Sequence, residues 1–271
     1  MATPIRINDI DEGTRYTICR MIGAVGYKIR EDWDWNWLEE ISGESCPEVD
    51  ESLWRDAWKA LLQEDWLSLQ STNAKMRRIS TILPLCGLSN LRSLVLQENH
   101  VTELKPLIGL SKLRYLNLHH NLVVDLSPLK HLRQLEELHA GENPVASLAV
   151  LEELPSLREL YISTSQLDAL ARCESLRSVQ LLDVRGEGGV SSLANFPEMP
   201  SLKVLRMSGL QDLAGIVRFP SLGTIELSHG SYSTLAGLKE MRNLTHFTGR
   251  TNASISVEPL QKAPPIEISP S

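Results

Sequence analysis

Residues 91–156 read LRSLVLQENHVTELKPLIGLSK (91–112), LRYLNLHHNLVVDLSPLKHLRQ (113–134) and LEELHAGENPVASLAVLEELPS (135–156), three units of 22 residues each. Leucine or a close substitute recurs at positions 1, 4, 6, 11, 14, 17 and 20 of each unit, with asparagine at position 9. Positions 4 and 6 have the two-residue period of a strand with one buried face. Positions 11 to 20 recur every third residue, the period of a 3₁₀ or loosely helical return. The apolar set therefore points into a stack of coils, and each coil buries it against the next. Asn99, Asn121 and Asn143 fall where the chain leaves the strand. An inward asparagine there can pair backbone groups that would otherwise be buried unsatisfied, and stacked asparagines form a ladder.

Outward from this core the phase persists with looser spelling. Apolar residues precede Leu91 at Ile79, Ile82, Leu85 and Leu88, precede Leu202 at Val190, Leu193, Phe196 and Met199, and precede Leu222 at Leu210, Leu213, Ile216 and Phe219. Before Leu244 they are Tyr232, Leu235, Leu238 and Met241. Taking Leu176 as a strand start gives a weaker set, Leu167, Leu170 and Cys173, and units of 19 and 26 residues starting at 157 and 176. The asparagine position changes to Ser165, Val184, Leu210 and Gly230 and returns as Asn252. The glycines of VRGEGGV (184–190) predict a loop leaving the surface. Parallel strands are predicted from residue 91 onward, eight in number with a partial unit before them, centred on Val95, Asn117, His139, Tyr161, Gln180, Arg206, Glu226 and Thr248.

These repeats resemble the leucine-rich-repeat family, in the 22-residue subtype of a protein phosphatase 1 regulatory subunit and of bacterial internalins. The resemblance covers roughly residues 75–252 and implies an α/β solenoid: right-handed, with a parallel concave β-sheet and an N-terminal, mainly helical cap. It says little of function, because the repeated positions encode the scaffold. Internalins are exported, and the mixed charges of the first ten residues lack the apolar core of a signal peptide, so this chain is expected to be cytoplasmic.

Composition divides the chain into 1–66, an acidic Trp-rich cap; 67–252, the solenoid; and 253–271, a C-terminal cap or tail. The first segment holds 15 acids, 7 bases and all six tryptophans, while the remainder is nearly neutral with 19 acids and 20 bases. A solenoid exposes its core at each end, so caps are required. Leu53, Trp54, Ala57, Trp58, Leu61 and Leu62 form a helical stripe with Asp50 as N-cap and Pro47 before it, and Trp58 and Leu62 are expected to be buried. A second helix is expected around Thr14–Ile29, although Gly23 and Gly26 weaken it. EDWDWNWLEEI (31–41) fits a strand by its alternation and a helix by its ending; its tryptophans read as cap core or as exposed anchors for a basic partner.

The net charge of −7 argues against nucleic-acid binding, which needs clustered Lys and Arg. No stretch approaches 18 consecutive apolar residues, so no membrane span is expected. Cys19, Cys46, Cys86 and Cys173 form no CxxC pair and read as buried free thiols in a reducing compartment. No phosphate loop, GxSxG elbow, HExxH or EF-hand pattern occurs, and GAVGYK (23–28) lacks the spacing of a nucleotide loop. Neither catalytic residues nor cofactor nor metal ligands are assigned; His119, His120 and His139 near Glu137 and Glu142 fit a polar recognition surface better than a metal site.

Positions 3, 5 and 7 should project from the concave sheet. The residues expected to bind protein are Tyr115, Asn117, His119, Glu137, His139, Glu159, Tyr161, Arg206 and Glu226; Ser178, Gln180 and Leu182 project in the same reading. Tyrosine and arginine are enriched at interface hot spots. The expected function is non-enzymatic protein binding, by a cytosolic inhibitor or immunity-type protein that blocks a toxin or an enzyme. The chain is similar in build to compact leucine-rich-repeat proteins that accompany bacterial toxins. The alternatives are a phosphatase-regulator-like or general scaffold, and an enzyme with its site in the N-terminal segment.

Overall fold

The computed structural model describes residues 11–29, 51–71, 77–187, 190, 192–210, 212–228, 241 and 243–249. The chain forms two compact units, the first comprising Met1–Leu135 with Asn143–Val145 and the second Glu136–Glu142 with Ala146–Ser271. Both are built from coils of one strand and one return.

In the first unit three parallel strands follow chain order: β1 (Trp66–Ser68), β2 (Ser93–Val95) and β3 (Tyr115–Asn117). Leu94 and Leu116 pair in register and are fully buried, as are Leu96 and Leu118 two residues on. The returns carry 3₁₀ turns at Leu83–Leu85, Lys105–Leu107 and Ser127–His131, each with proline in its first turn, where no amide donor is needed. Val101, Leu104, Leu107 and Leu110 are all buried, so the three-residue period does face the core. The sheet starts one coil earlier than residue 91. The three-residue strand at Trp66 carries too few apolar positions for the repeat to stand out, and pairing with β2 settles it.

The asparagine ladder is present. Oδ1 of Asn99, Asn121 and Asn143 accepts from the amides of Ile79, Val101 and Val123, at 2.9, 2.9 and 3.0 Å. Nδ2 donates to carbonyls of the preceding coil: Asn99 to Leu69, Asn121 to Leu96 and Asn143 to Leu118, each at 2.9 Å. The residue before each asparagine, Glu98, His120 or Glu142, has φ between 52° and 59°. That left-handed step aims the following side chain inward.

Among the described residues, two helices precede β1. In α1 (Glu12–Ile29), Asp11 caps the first turn by accepting from the Thr14 amide at 2.9 Å, and Gly23 and Gly26 do not interrupt the helix. In α2 (Glu51–Leu61), Trp54, Ala57, Trp58 and Leu61 are buried and pack with α1, whereas Leu62 is half-buried because it follows the helix end. Trp33, Trp35, Trp37, Cys46, Pro47, Asp50, Arg250, Asn252 and the 253–271 segment lie outside the described residues. Helix α1 docks on the first coil: Thr17 Oγ1 donates to the Thr81 carbonyl at 2.7 Å, and Arg77 pairs with Glu12. Arg20, only 6% exposed, donates through Nη2 to the Gln70 carbonyl at 2.7 Å and the Leu69 carbonyl at 3.4 Å. It thereby satisfies carbonyls at the exit from the first strand, where later coils use asparagine. Arg20→Met is expected to destabilise the protein by about 1–3 kcal/mol, the cost of leaving such a buried group unpaired. Urea unfolding checks this; an unchanged midpoint removes the role.

In the second unit six parallel strands again follow chain order: β4 (Glu137–His139), β5 (Glu159–Ser163), β6 (Leu181–Arg185), β7 (Val204–Ser208), β8 (Thr224–Ser228) and β9 (His246–Gly249). Leu138 and Leu160 are fully buried and paired. The β6 register corrects the sequence reading. Leu160 pairs with Leu182, so Val179, not Leu176, occupies position 1, and the units starting at 157 and 179 span 22 and 23 residues. LRSVQL (176–181) offers leucine or valine in both frames, and the frames differ by three residues. An odd slip inverts the faces: Leu182 is buried, and Leu181, Asp183 and Arg185 take the sheet-face positions given to Ser178, Gln180 and Leu182. Gly186 then falls at the left-handed position, φ 129°, as Gly209 does at φ 71°. Val184 and Arg185 are strand residues, and the chain leaves the sheet only at Gly186. Where Ser165 was expected to replace asparagine, the buried Gln166 does so, donating to the Ala140 carbonyl at 2.8 Å and accepting from the Ser163 amide at 3.0 Å.

Candidate protein-binding surface

Pairing places the position-5 residues of the second unit side by side: His139, Tyr161, Asp183, Arg206, Glu226 and Thr248, one from each strand. Glu137 and Glu159 adjoin this row at position 3, and Ser163 and Arg185 at position 7. The strand spacing of about 4.8 Å makes every neighbour on the row a potential contact.

His139, Tyr161, Asp183, Arg185, Arg206 and Glu226 each have a side-chain partner within the protein. The His139 and Tyr161 rings stack 3.9 Å apart at 5°. His139 Nε2 lies 2.7 Å from Glu137 Oε1, and the Tyr161 hydroxyl donates to Glu159 at 2.9 Å. Burial, the Glu159 hydrogen bond and the fields of Glu159 and Glu137 push the Tyr161 phenol well above its ordinary range, so it stays protonated. Arg206 Nε donates to Glu226 at 2.8 Å across adjacent strands. Asp183, 1% exposed, accepts from Arg185 Nε at 2.9 Å and Nη2 at 2.8 Å. Hydrogen bonding to Asp183 raises the Arg185 pKa above its ordinary value, and bonding to Glu226 does the same for Arg206. These side chains are held in place by their own neighbours.

In the first unit, Trp66, Ser93 and Tyr115 occupy the position-3 row. Trp66 is 56% exposed, so this tryptophan is surface rather than cap core. Asn117 is buried beneath Tyr115 and Gln97, its Nδ2 lying 3.3 Å from Gln97 Oε1. His119 stacks edge-on with His120 at 4.4 Å. Thus Tyr115, Asn117 and His119 cluster in the first unit, and Glu137, His139, Glu159, Tyr161, Arg206 and Glu226 in the second.

Trp66, Asp183 and Arg185 were not anticipated. The W-L-S-L alternation at 66–69 and the left-handed glycine at 186 were the available signals. Among the described residues no group of three or more His, Cys, Asp or Glu side chains could hold a metal, and no helix is long and apolar enough to cross a membrane. Among the described residues Cys19, Cys86 and Cys173 form no disulfide; Cys19 and Cys173 are buried, whereas Cys86 is exposed, because it follows a surface 3₁₀ turn.

Residues 89–131 match the family model for leucine-rich repeats in two copies. No curated protein matches the sequence. Among solved structures, internalin C2 from Listeria monocytogenes str. 4b F2365 is similar, with TM-score 0.55, 21% identity and coverage of 100% of this chain and 99% of that one. An internalin (inlF) from the same strain gives TM-score 0.52 and 21% identity, over 79% of this chain and 70% of the other. At this identity the likeness is one of fold. The repeats are internalin-like, and each unit presents a face of parallel strands.

Proposed function

We propose that this leucine-rich-repeat chain is a non-enzymatic protein-binding module whose sheet face receives its partner. The observation that carries the reading is the paired row from His139 to Glu226. Side chains already locked by their neighbours lose little conformational entropy on association. Tyrosine and arginine at its centre are the residue types that anchor interfaces.

Within this reading, the chain acts as a cytosolic inhibitor or immunity-type protein that blocks a toxin or an enzyme. Among the described residues Cys19, Cys86 and Cys173 form no disulfide, which suits a reducing compartment. An inhibitor needs a rigid surface rather than a reactive one, and the paired row has that character. Residues 1–66 serve as the N-terminal cap, 67–252 as the binding solenoid and 253–271 as the C-terminal cap or tail.

Tyr161→Ala and Tyr115→Ala are expected to weaken partner binding by about 1 kcal/mol or more, roughly fivefold in Kd, with little change in melting temperature. Calorimetric titration against the partner captured from native cells, paired with melting curves, tests this. Normal binding by both variants, together with loss in Ile108→Asp or Val217→Asp on the exposed returns, would sink the sheet-face reading.

A further inference from the structure

We infer that the second unit holds a socket for an aspartate or glutamate side chain of the protein partner, gripped by the free guanidinium edges of Arg185 and Arg206. This rests on the protein-binding reading and assigns chemistry to one part of the face.

A cavity of about 280 Å³ opens over β6 to β9, lined by Asp183, Arg185, Arg206, Glu226, Ser228 and Thr248 among others. A guanidinium carries five N–H donors in a planar fork. Arg185 uses its Nε and Nη2 on Asp183. Arg206 uses Nε on Glu226. Among the described residues, Arg185 Nη1 and both Nη atoms of Arg206 have no hydrogen-bond or ion-pair partner. Unspent donors therefore line a cavity large enough for a side chain.

The charges of Asp183 and Glu226 balance those of Arg185 and Arg206, so the cavity selects by hydrogen-bonding capacity more than by net charge. Its surplus is in donors, and the matching ligand is an acceptor. A basic side chain fits poorly. Asp183 is buried and already takes two bonds from Arg185, leaving only part of Glu226 to receive a cation. The other carboxylates of the face, Glu137 and Glu159, stand on β4 and β5 and do not line the cavity. A carboxylate accepts two N–H bonds side by side, the geometry that arginine forks match. The buried Asp183 holds Arg185 in place, so an incoming carboxylate need not order that side chain.

The test is an NMR titration of the full chain with N-acetyl-glutamate amide, following the Arg185 and Arg206 Nε–Hε signals. N-acetyl-glutamine amide, N-acetyl-arginine amide and inorganic phosphate are the comparators. Both signals should shift and saturate with the glutamate probe, with Kd on the order of 1 mM for a ligand this small. The glutamine probe should leave them in place. Arg206→Ala should raise Kd about tenfold, the loss expected when a charge-assisted bidentate contact goes. Arg206→Lys should not restore it, because lysine keeps the charge and loses the fork. No saturable shift, equal shifts with the glutamine probe, or a stronger response to the arginine probe would overturn the socket. An equal response to phosphate would also overturn it, since the site would then take free anions. If the glutamate probe fails while Tyr161→Ala still loses the partner, the socket falls and the binding face stands. Normal partner binding by Tyr161→Ala and Tyr115→Ala removes the face reading itself.

Discussion

Leu116→Ala and Leu160→Ala are each expected to destabilise the protein by about 2–5 kcal/mol, the range for emptying a well-packed leucine site. Both side chains are fully buried at the inward centre of a strand, and each pairs in register with a leucine of a neighbouring strand, Leu94 or Leu138. The cavity would sit among the leucines of adjacent coils, whose backbones are tied by parallel ladders and cannot close in. A loss of this size is a large share of the stability of an ordinary domain. Urea unfolding supplies the number, and partner binding below the transition should persist, because neither leucine reaches the sheet surface. A cost under about 1 kcal/mol for both would mean the coil interior is not packed as described.

Asn121→Ala should be nearly as costly, about 2–4 kcal/mol, for an electrostatic reason. The side chain is 3% exposed; its Nδ2 donates to the Leu96 and Leu118 carbonyls at 2.9 Å each, and its Oδ1 accepts from the Val101 amide at 2.9 Å. Alanine takes the acceptor away from the buried Val101 amide, at about 1–3 kcal/mol, and strips one of two asparagine donors from each carbonyl, Leu96 keeping Asn99 and Leu118 keeping Asn143. Asn121→Asp separates the two halves of the role: it keeps the acceptor and loses both donors, so it should not rescue the fold. Asn117→Ala is the control: its Nδ2 partners are the side chains of Gln97 and Tyr115, and the His119 amide that its Oδ1 accepts from, at 3.0 Å, is only partly buried. Equal unfolding midpoints for Asn121→Ala and Asn117→Ala would show that the ladder carries no special share of stability.

The coil interior was legible because it repeats. Leu94, Leu116 and Leu138 were placed inward by spacing alone, as were the ladder asparagines, and both hold in the structure. Legibility failed where two frames were equally apolar. LRSVQL allowed Leu176 or Val179 to begin the strand, and the choice exchanged Gln180 for Asp183 at position 5 of the coil. The socket residues Asp183 and Arg185 were hidden by that slip, while Arg206 and Glu226 were found because their unit kept a single readable frame. Trp66 was missed because one short strand before the clean repeats gives no periodicity to count.

The sequence by itself determined the repeat architecture, the inward leucines and the asparagine ladder, because a period sustained over many coils admits only one burial pattern. It also set the helical stripe of Trp54 and Trp58. Tertiary structure alone decided three things: which of two apolar frames β6 adopts, that Gln166 replaces a ladder asparagine, and that Arg20 satisfies the carbonyls leaving the first strand. Each depends on a partner from another coil or from α1. A local window specifies which residues prefer burial; hydrogen-bond satisfaction between distant segments decides which of the permitted arrangements is formed.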